Sequence, residues 1–477
     1  MKLLILGIDA MEPSILFKNQ NDYKNMGWLC QDGVYGEYDA YAYGYGSRDN
    51  WISLYTGLTP GQHGTVGNTF YKSGEKPIIT DYEKHQPFWK ILNEYGIKVG
   101  MWKGLVTTPP QKIDGYMISG EANFEIDGEE DPYARTEPVL CGEDDHLRKY
   151  ISFDIKKPPM PKSPEEFGYT WELIYNNPNL VDNILNENYF NECVSYFQKE
   201  LTFYENNMVS MQTHNPVDVM FFYTPILDFI QHFTMHDPEY IQIKRAMKIL
   251  DDFVGRLMNK LNPENVIILS DHGMTSLDEF FPDTPTEIQK EAFGWRDKSI
   301  WLKNGKIVTR ARNGGFMSGI HSLKGCFIAS GKSIGKGQIK HMRTIDFYPT
   351  LLEMFNIEVP SNREGYVHNI FKDKGIVNTD KLLKESNIEE KNIAIIQSID
   401  IPQFNKIINE VFLDNRFNNI TVFGEEKYKG ILQGNPRVSS FVKIENKKAD
   451  MELLSKFDKV IIPYLNNSTN EVDYIEM

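Results

Sequence analysis

Residues 266–274 read VIILSDHGM: an apolar, β-branched run that stops abruptly at Asp271 and His272. Four other runs have the same character: LLILGI (3–8), KVGMWKG (98–104), VDVMFFY (217–223) and GCFIAS (325–330). Between them lie helical patterns such as QPFWKILNEYG (86–96) and EYIQIKRAMKILDDFVGRLMNKL (239–261). Nearly continuous apolar strands alternating with helices predict a parallel sheet covered on both faces. In such sheets ligands collect beyond the C-terminal ends of the strands. A polar pair closing a buried strand is therefore a candidate for chemistry.

Working outward, the chain has 477 residues, 66 acidic and 51 basic, for a formal charge of −15. That balance excludes a general binder of nucleic-acid polymers, which needs a basic footprint. Hydrophobic residues make up 41%, ordinary for a globular chain. There is no apolar run of membrane-spanning length. The opening MKLLILGIDA meets Asp9 without a small-residue cleavage site, so it reads as a buried strand. Cys30, Cys141, Cys193 and Cys326 have no paired spacing. Reduced thiols and a cytoplasmic location are the expectation.

Two breaks divide the chain. Residues 107–205 are rich in Pro, Asn, Tyr and acidic residues, including EIDGEEDPYA (125–134) and CGEDDH (141–146). They are expected to form a cap inserted over the strand ends. Residues 372–391 are charged and polar, and the runs IAIIQ (393–397), NITVF (419–423), SSFVKI (439–444) and KVIIPYL (459–465) follow. This predicts a catalytic unit over 1–380 and a small α/β accessory domain over 388–477, which could dock a partner or pair two chains.

Four pieces carry the candidate chemistry. Asp9 ends the first strand. The turn YAYGYGSRDNW (41–51) leads Ser47 into a helix ending near Gly57, and a helix N-terminus suits an anion. In TPILDFIQH (224–232), Thr224 can N-cap and Pro225 can start a helix, so Asp228 and His232 share one face at i, i+4. Asp271 and His272 close the fourth piece, and His321 follows the glycine-containing loop NGGFMSGIH (313–321). Each piece has a structural reading as a cap or an ion pair. Together they place three Asp, three His and one Ser at strand ends or helix starts of one sheet. Mixed imidazole and carboxylate donors without thiolates suit Zn²⁺ or Mn²⁺.

These residues resemble the alkaline phosphatase superfamily, in its type I phosphodiesterase / nucleotide pyrophosphatase branch, over about residues 1–370. The carriers are SDHG (270–273), the D-x-x-x-H pair, and the nucleophile segment followed by TGLTPGQHG (56–64). HGTVGNTFY (63–71), TTPPQKIDGYMISG (107–120) and RTIDFYPTLLEMFNIEVP (343–360) are also similar. The resemblance implies a central, mostly parallel sheet with helices on both faces and an inserted cap. It implies two divalent cations, with Zn²⁺ preferred to Mn²⁺. Asp9, Asp271 and His272 would hold one, with Ser47 as a further ligand; Asp228, His232 and His321 would hold the other.

Ser47 stands where this branch often has Thr, followed by Arg48 and Asp49. Asn50 is the expected donor to a phosphate oxygen, and Arg48 is a second candidate for that task. His63 is assigned a structural role. The implied activity is metal-dependent hydrolysis of phosphodiester or pyrophosphate bonds in a small phosphorylated substrate, such as a nucleotide or nucleotide sugar, through a phosphoserine on Ser47. A phosphomonoesterase or phosphomutase on the same two-metal core is the alternative, and a non-catalytic scaffold the reading from another class. Ser47 lacks the C/S-x-P-x-R context of a sulfatase. Two surface expectations complete the reading. Tyr41, Tyr43 and Tyr45 either pack in the core or stack on a substrate ring, and Lys324, Lys332, Lys336, Lys340 and Arg343 could steer an anion.

Overall fold

The computed structural model describes most of residues 1–40, 46–63, 85–120, 140–152, 164–177, 187–280, 300–301, 306–310 and 316–372, and parts of 392–476. Tyr41, Tyr43, Tyr45 and residues 64–84 lie outside the described residues.

The order of elements that position the site is β1 (Leu3–Ile8), α1 (Lys24–Asp32), β2 (Val34–Asp39), α2 (Ser47–Thr56), α3 (Phe88–Glu94), β3 (Val99–Gly104) and β4 (Gly115–Ser119). Then come α4 (Glu187–His214), β5 (Val219–Thr224), α5 (Ile226–Thr234), α6 (Ile241–Leu261), β6 (Asn265–Leu269) and β7 (Gly273–Ser276). They are followed by β8 (Gly319–Ser322), β9 (Lys324–Gly331), β10 (Gly337–Gln338), β11 (Met342–Arg343) and α7 (Phe347–Met354). Nine described strands form the central sheet in the order β10-β2-β9-β6-β1-β5-β3-β4, with β11 also on β2. β6, β1, β5, β3 and β4 are parallel neighbours.

The apolar strands earn their places by burial on both faces. Leu4, Leu6 and Ile8 of β1 enter one core cluster with residues of α1, α4, α5 and α6. Leu3 and Ile5 enter the other, with residues of α2, α3 and α7. A strand alternates its side chains, so one run feeds two cores. Along α6 the buried positions Ile243, Ala246, Met247, Leu250, Phe253, Val254, Leu257 and Leu261 recur every three or four residues. That is the apolar stripe of an α-helix laid on a sheet.

The structure differs from expectation in three places. GCFIAS, within β9, runs antiparallel to both β6 and β2. After β6 the chain forms β7, pairs it with β8, and passes to β9 through Leu323 alone. It is then still at the strands' C-terminal end, and a parallel strand would need a long crossover back. Second, the segment 107–205 is not all excursion. β4 is a sheet strand, and α4 runs through the segment's last part and packs its apolar side chains into the core. Third, α5 begins one residue late: Thr224 ends β5 and Pro225 is the N-cap.

Residues 392–476 contribute a separate five-stranded sheet: β12 (Asn392–Ile396), β13 (Asn419–Gly424), β14 (Ser440–Lys443), β15 (Lys459–Leu465) and β16 (Val472–Glu476). Its order is β14-β13-β12-β15-β16, parallel except for β16. Ala394, Ile396, Phe423, Ile444, Leu454 and Val460 form its own core cluster. No described helix is long and apolar enough to cross a membrane.

Candidate active site

Three parallel strands deliver the ligands. Asp9 leaves the end of β1, Asp271 and His272 follow β6, and β5 hands the chain to α5, which carries Asp228 and His232 one turn apart. β8 brings His321 back over the same end, its Cα paired with Met274 of β7. α2 starts at Ser47, with Gly46 as N-cap and the Asp49 carboxylate accepting from Gly46 N at 2.8 Å.

These residues converge as two compact groups, Asp9–Asp271–His272 and Asp228–His232–His321. In the second, His232 Nε2 and His321 Nε2 are 3.2 Å apart, and each is 3.3 Å from Asp228 Oδ1. In the first, His272 Nε2 lies 3.1 Å from Asp271 Oδ2 and 3.6 Å from Asp9 Oδ1. Ser47 Oγ joins it at 3.3 Å from Asp9 Oδ1 and 3.1 Å from His272 Nε2. A tetrahedral ion with bonds of 2.0–2.1 Å holds its donors about 3.3–3.4 Å apart. Both groups have nearly that edge length.

Other observations agree with cation binding. Among the described residues, Asp228 Oδ1 and Asp271 Oδ2 are buried oxygens with no hydrogen-bond partner. A buried carboxylate oxygen is costly to leave unsatisfied, and a cation would satisfy it. His232 Nδ1 contacts Gly319 O at 3.1 Å and His272 Nδ1 contacts Gly273 O at 2.9 Å. A carbonyl accepts, so Nδ1 carries the proton and Nε2 presents a lone pair to the group.

The electrostatics point the same way. Burial, reinforced by the Asp228 charge, pushes the Asp9 carboxyl up to about 7. Burial and then the neighbouring Asp9 raise Asp271 well above the carboxylate range. Burial pushes His272 down to about 4; burial and then His272 do the same to His321. Crowded carboxylates resist ionising together unless positive charge joins them. Exposure distinguishes the groups. Side chains of the first are at most 1% exposed, whereas His232, Asp228 and His321 are 16%, 20% and 21% exposed. The second group is the one that solvent reaches.

Two residues that the sequence reading overlooked hold Asp9. Tyr223 Oη donates to Asp9 Oδ2 at 2.6 Å and Trp51 Nε1 to the same oxygen at 3.3 Å. Both donors occupy Oδ2, which leaves Oδ1 toward Ser47 and His272. Tyr223 was legible only as the last apolar residue of a strand, and Trp51 as a core aromatic.

Asn50 and Arg48, the two expected phosphate contacts, are both buried at the start of α2. Asn50 is fully buried, and its Nδ2 donates to Gly46 O at 3.1 Å. Its amide braces the turn that presents Ser47, because position 50 lies one helical turn into α2 and looks back along it. Arg48 is only 4% exposed, so it is no surface arginine. His63 is buried, with Nε2 3.1 Å from Ser53 Oγ, which fits the expected structural role. The basic cluster is largely neutralised. Lys324 pairs with Asp39, Lys332 with Glu264, Lys336 with Asp32 and Arg343 with Asp346.

The family model of type I phosphodiesterase / nucleotide pyrophosphatase matches residues 3–309. The fold is similar to that of human ectonucleotide pyrophosphatase / phosphodiesterase 5, at 16% identity and a TM-score of 0.44, covering 78% of this chain and 100% of that one. The murine protein of the same name is similar at 16% identity and a TM-score of 0.41, covering 76% and 98%. With the match spanning most of the catalytic sheet, the chain is a phosphoric ester hydrolase of the alkaline phosphatase superfamily and belongs to the type I phosphodiesterase / nucleotide pyrophosphatase family.

Proposed function

We propose that the protein hydrolyses a phosphodiester or pyrophosphate bond in a small phosphorylated substrate, with Ser47 as the covalent nucleophile and two divalent cations as cofactors. The observation that carries this reading is the position of the Ser47 hydroxyl, 3.1–3.3 Å from donors of the first ligand group and at the start of α2. Asp9, Asp271, His272 and Ser47 would hold one cation; Asp228, His232 and His321 would hold the other. Zn²⁺ is the preferred identity, because imidazole nitrogens make up three of the seven donors. When bound, such ions lower the pKa of a coordinated hydroxyl and neutralise phosphate charge.

The protein's own part is positional. In the first step Ser47 Oγ bonds to phosphorus, the phosphorus–oxygen bond to the leaving alcohol or phosphate breaks, and the proton released by Ser47 ends on the leaving oxygen. The Ser47 hydroxyl has two acceptors beside it, Asp9 Oδ1 at 3.3 Å and His272 Nε2 at 3.1 Å, which hold its oxygen in place for attack. Ser47 is the first residue of α2, and the positive end of a helix dipole favours an anion there. In the second step water attacks phosphorus, the bond to Ser47 Oγ breaks, and the serine regains its proton. Asn50 holds the Gly46–Ser47 turn in place through both steps.

Ser47→Ala should abolish hydrolysis of bis(p-nitrophenyl) phosphate while metal content stays near two ions per chain. Substantial turnover in that variant would overturn the covalent route. Comparing the diester with p-nitrophenyl phosphate tests the bond type: a strong preference for the monoester would replace diester hydrolysis with phosphomonoesterase action. The four cysteines, all buried and unbridged, support the cytoplasmic expectation. Localising a tagged full-length chain to an oxidising compartment would refute it.

A further inference from the structure

The segment joining β1 to α1 is bonded to every carboxylate- and histidine-bearing piece of the centre. Ala10 N donates to Asp271 Oδ1 at 3.3 Å. Ala10 O accepts from Gln231 Nε2 at 2.6 Å, and Gln231 is the neighbour of His232 on α5. Met11 O accepts from Ser270 Oγ at 3.2 Å, just before Asp271. Ala10 is held at φ 55, a left-handed conformation disfavoured for a non-glycine residue. Strain of that kind persists only where the surroundings over-determine it.

Glu12 closes the arrangement. Its Oε2 accepts from Met274 N at 3.0 Å and from Ser322 Oγ at 2.9 Å, and its Oε1 accepts from Ser14 N at 3.0 Å. Met274 lies two residues after His272, Ser322 is adjacent to His321, and Glu12 is three residues after Asp9. One carboxylate therefore ties the carriers of three ligands, drawn from both groups. The fit is close. A Cβ on Gly273 would stand 2.2 Å from Glu12 Oε2 and 2.6 Å from Ser322 Oγ, so only glycine lets this carboxylate approach.

We propose that Glu12 is a positioning residue for the two-cation centre: its carboxylate clamps the β7–β8 pair to the β1 terminus and so sets His272 and His321 relative to Asp9. The proposal rests on the cation-binding reading given above. Glu12 bonds no atom of a ligand side chain; it acts through the backbone and hydroxyl that flank them. Outer groups that orient ligands are worth about 10–100-fold in metal affinity.

The test uses the full chain and its Glu12→Gln and Ser322→Ala variants. Glutamine keeps the size but replaces one oxygen with an NH2 that cannot accept and removes the charge, so the Met274 N and Ser322 Oγ bonds compete with the Ser14 N cap for one neutral acceptor. Zn²⁺ affinity is titrated after chelator treatment, and hydrogen exchange at the Met274 amide is followed in the chelated protein. The expected result is faster exchange at Met274 in Glu12→Gln, with Zn²⁺ affinity weakened by about 10–100-fold and unchanged stoichiometry. Ser322→Ala should weaken affinity less, and the double variant should be no worse than Glu12→Gln, because both substitutions break the same clamp. Unchanged affinity in Glu12→Gln, against tight binding by the parent, would overturn the clamp and leave the cation reading intact. A parent chain that takes up no Zn²⁺ would overturn the cation reading, and faster Met274 exchange would then still uphold Glu12 as organiser of these segments. Unaltered Met274 exchange would overturn the clamp in either case.

Discussion

The ring of His321 stacks on that of His272, with centroids 3.7 Å apart and 21° between the planes, although the two belong to different ligand groups. The groups therefore share a wall. Removing one ring unpacks the other.

His321→Ala should accordingly affect both groups. The second cation should be lost, and affinity at the first should fall by about 10-fold, since the orientation of His272 loses its packing support. Zn²⁺ titration with stoichiometry by elemental analysis measures this. A variant that binds one ion with the parent's full affinity would show the groups to be independent.

Tyr223→Phe removes the 2.6 Å hydrogen bond to Asp9 Oδ2 and leaves the strand's apolar packing in place. Of the two donors to Oδ2, Trp51 Nε1 at 3.3 Å would remain. Zn²⁺ affinity should drop by about 10–100-fold, with a thermal midpoint close to the parent's in the chelated protein. Equal affinity in the two proteins would remove Tyr223 from the positioning of Asp9.

Gly7→Ala couples the core to the site. A Cβ there would come within 2.5 Å of Trp51 Cη2. Overpacking of that kind costs about 1–3 kcal/mol. Because Trp51 Nε1 bonds Asp9 Oδ2, moving the ring should also weaken Zn²⁺ binding. Urea unfolding of the chelated variant tests the first effect and titration the second. Stability equal to the parent's would mean that the ring yields freely.

His63 provides the pH dependence. Burial, with His85 adding to it, pushes its pKa from 6.5 down to about 3. The unfolded chain therefore binds a proton below pH 6.5 that the folded chain refuses until about pH 3. Stability then falls with acidification across that window, by about 1.4 kcal/mol per pH unit from this one group. His63→Gln keeps a partner for Ser53 Oγ and removes the titration. Its urea-unfolding free energy should be flatter than the parent's between pH 4 and 6, and parallel curves would rule out this assignment.

Much of the candidate site was legible before any coordinates. The strands around Asp9 and Asp271 announce themselves as apolar runs, and Asp228 and His232 share a helix face by simple periodicity. The grouping into two ligand sets came from family resemblance rather than spacing, because no local rule links His321 to Asp228. Asn50 shows what reading along the chain leaves out. Position 50 reads as a donor to phosphate, and the bond of its amide to Gly46 O is visible only in the fold. Glu12 was passed over for the opposite reason. Near Asp9 it reads as an ordinary helix cap, which it also is, and its partners lie 262 and 310 positions away.

Sequence alone determined which donors exist, and that they end strands or start helices of an α/β sheet. That much follows from hydrophobic periods of two and 3.6, which are properties of short segments. Tertiary structure decided the direction of β9, the division of labour between the two oxygens of Asp9, and the 3.1–3.6 Å spacing of the ligand groups. Those depend on strand register and on contacts such as Ala10 with Asp271, 261 positions apart. Only packing of the whole sheet can set such distances.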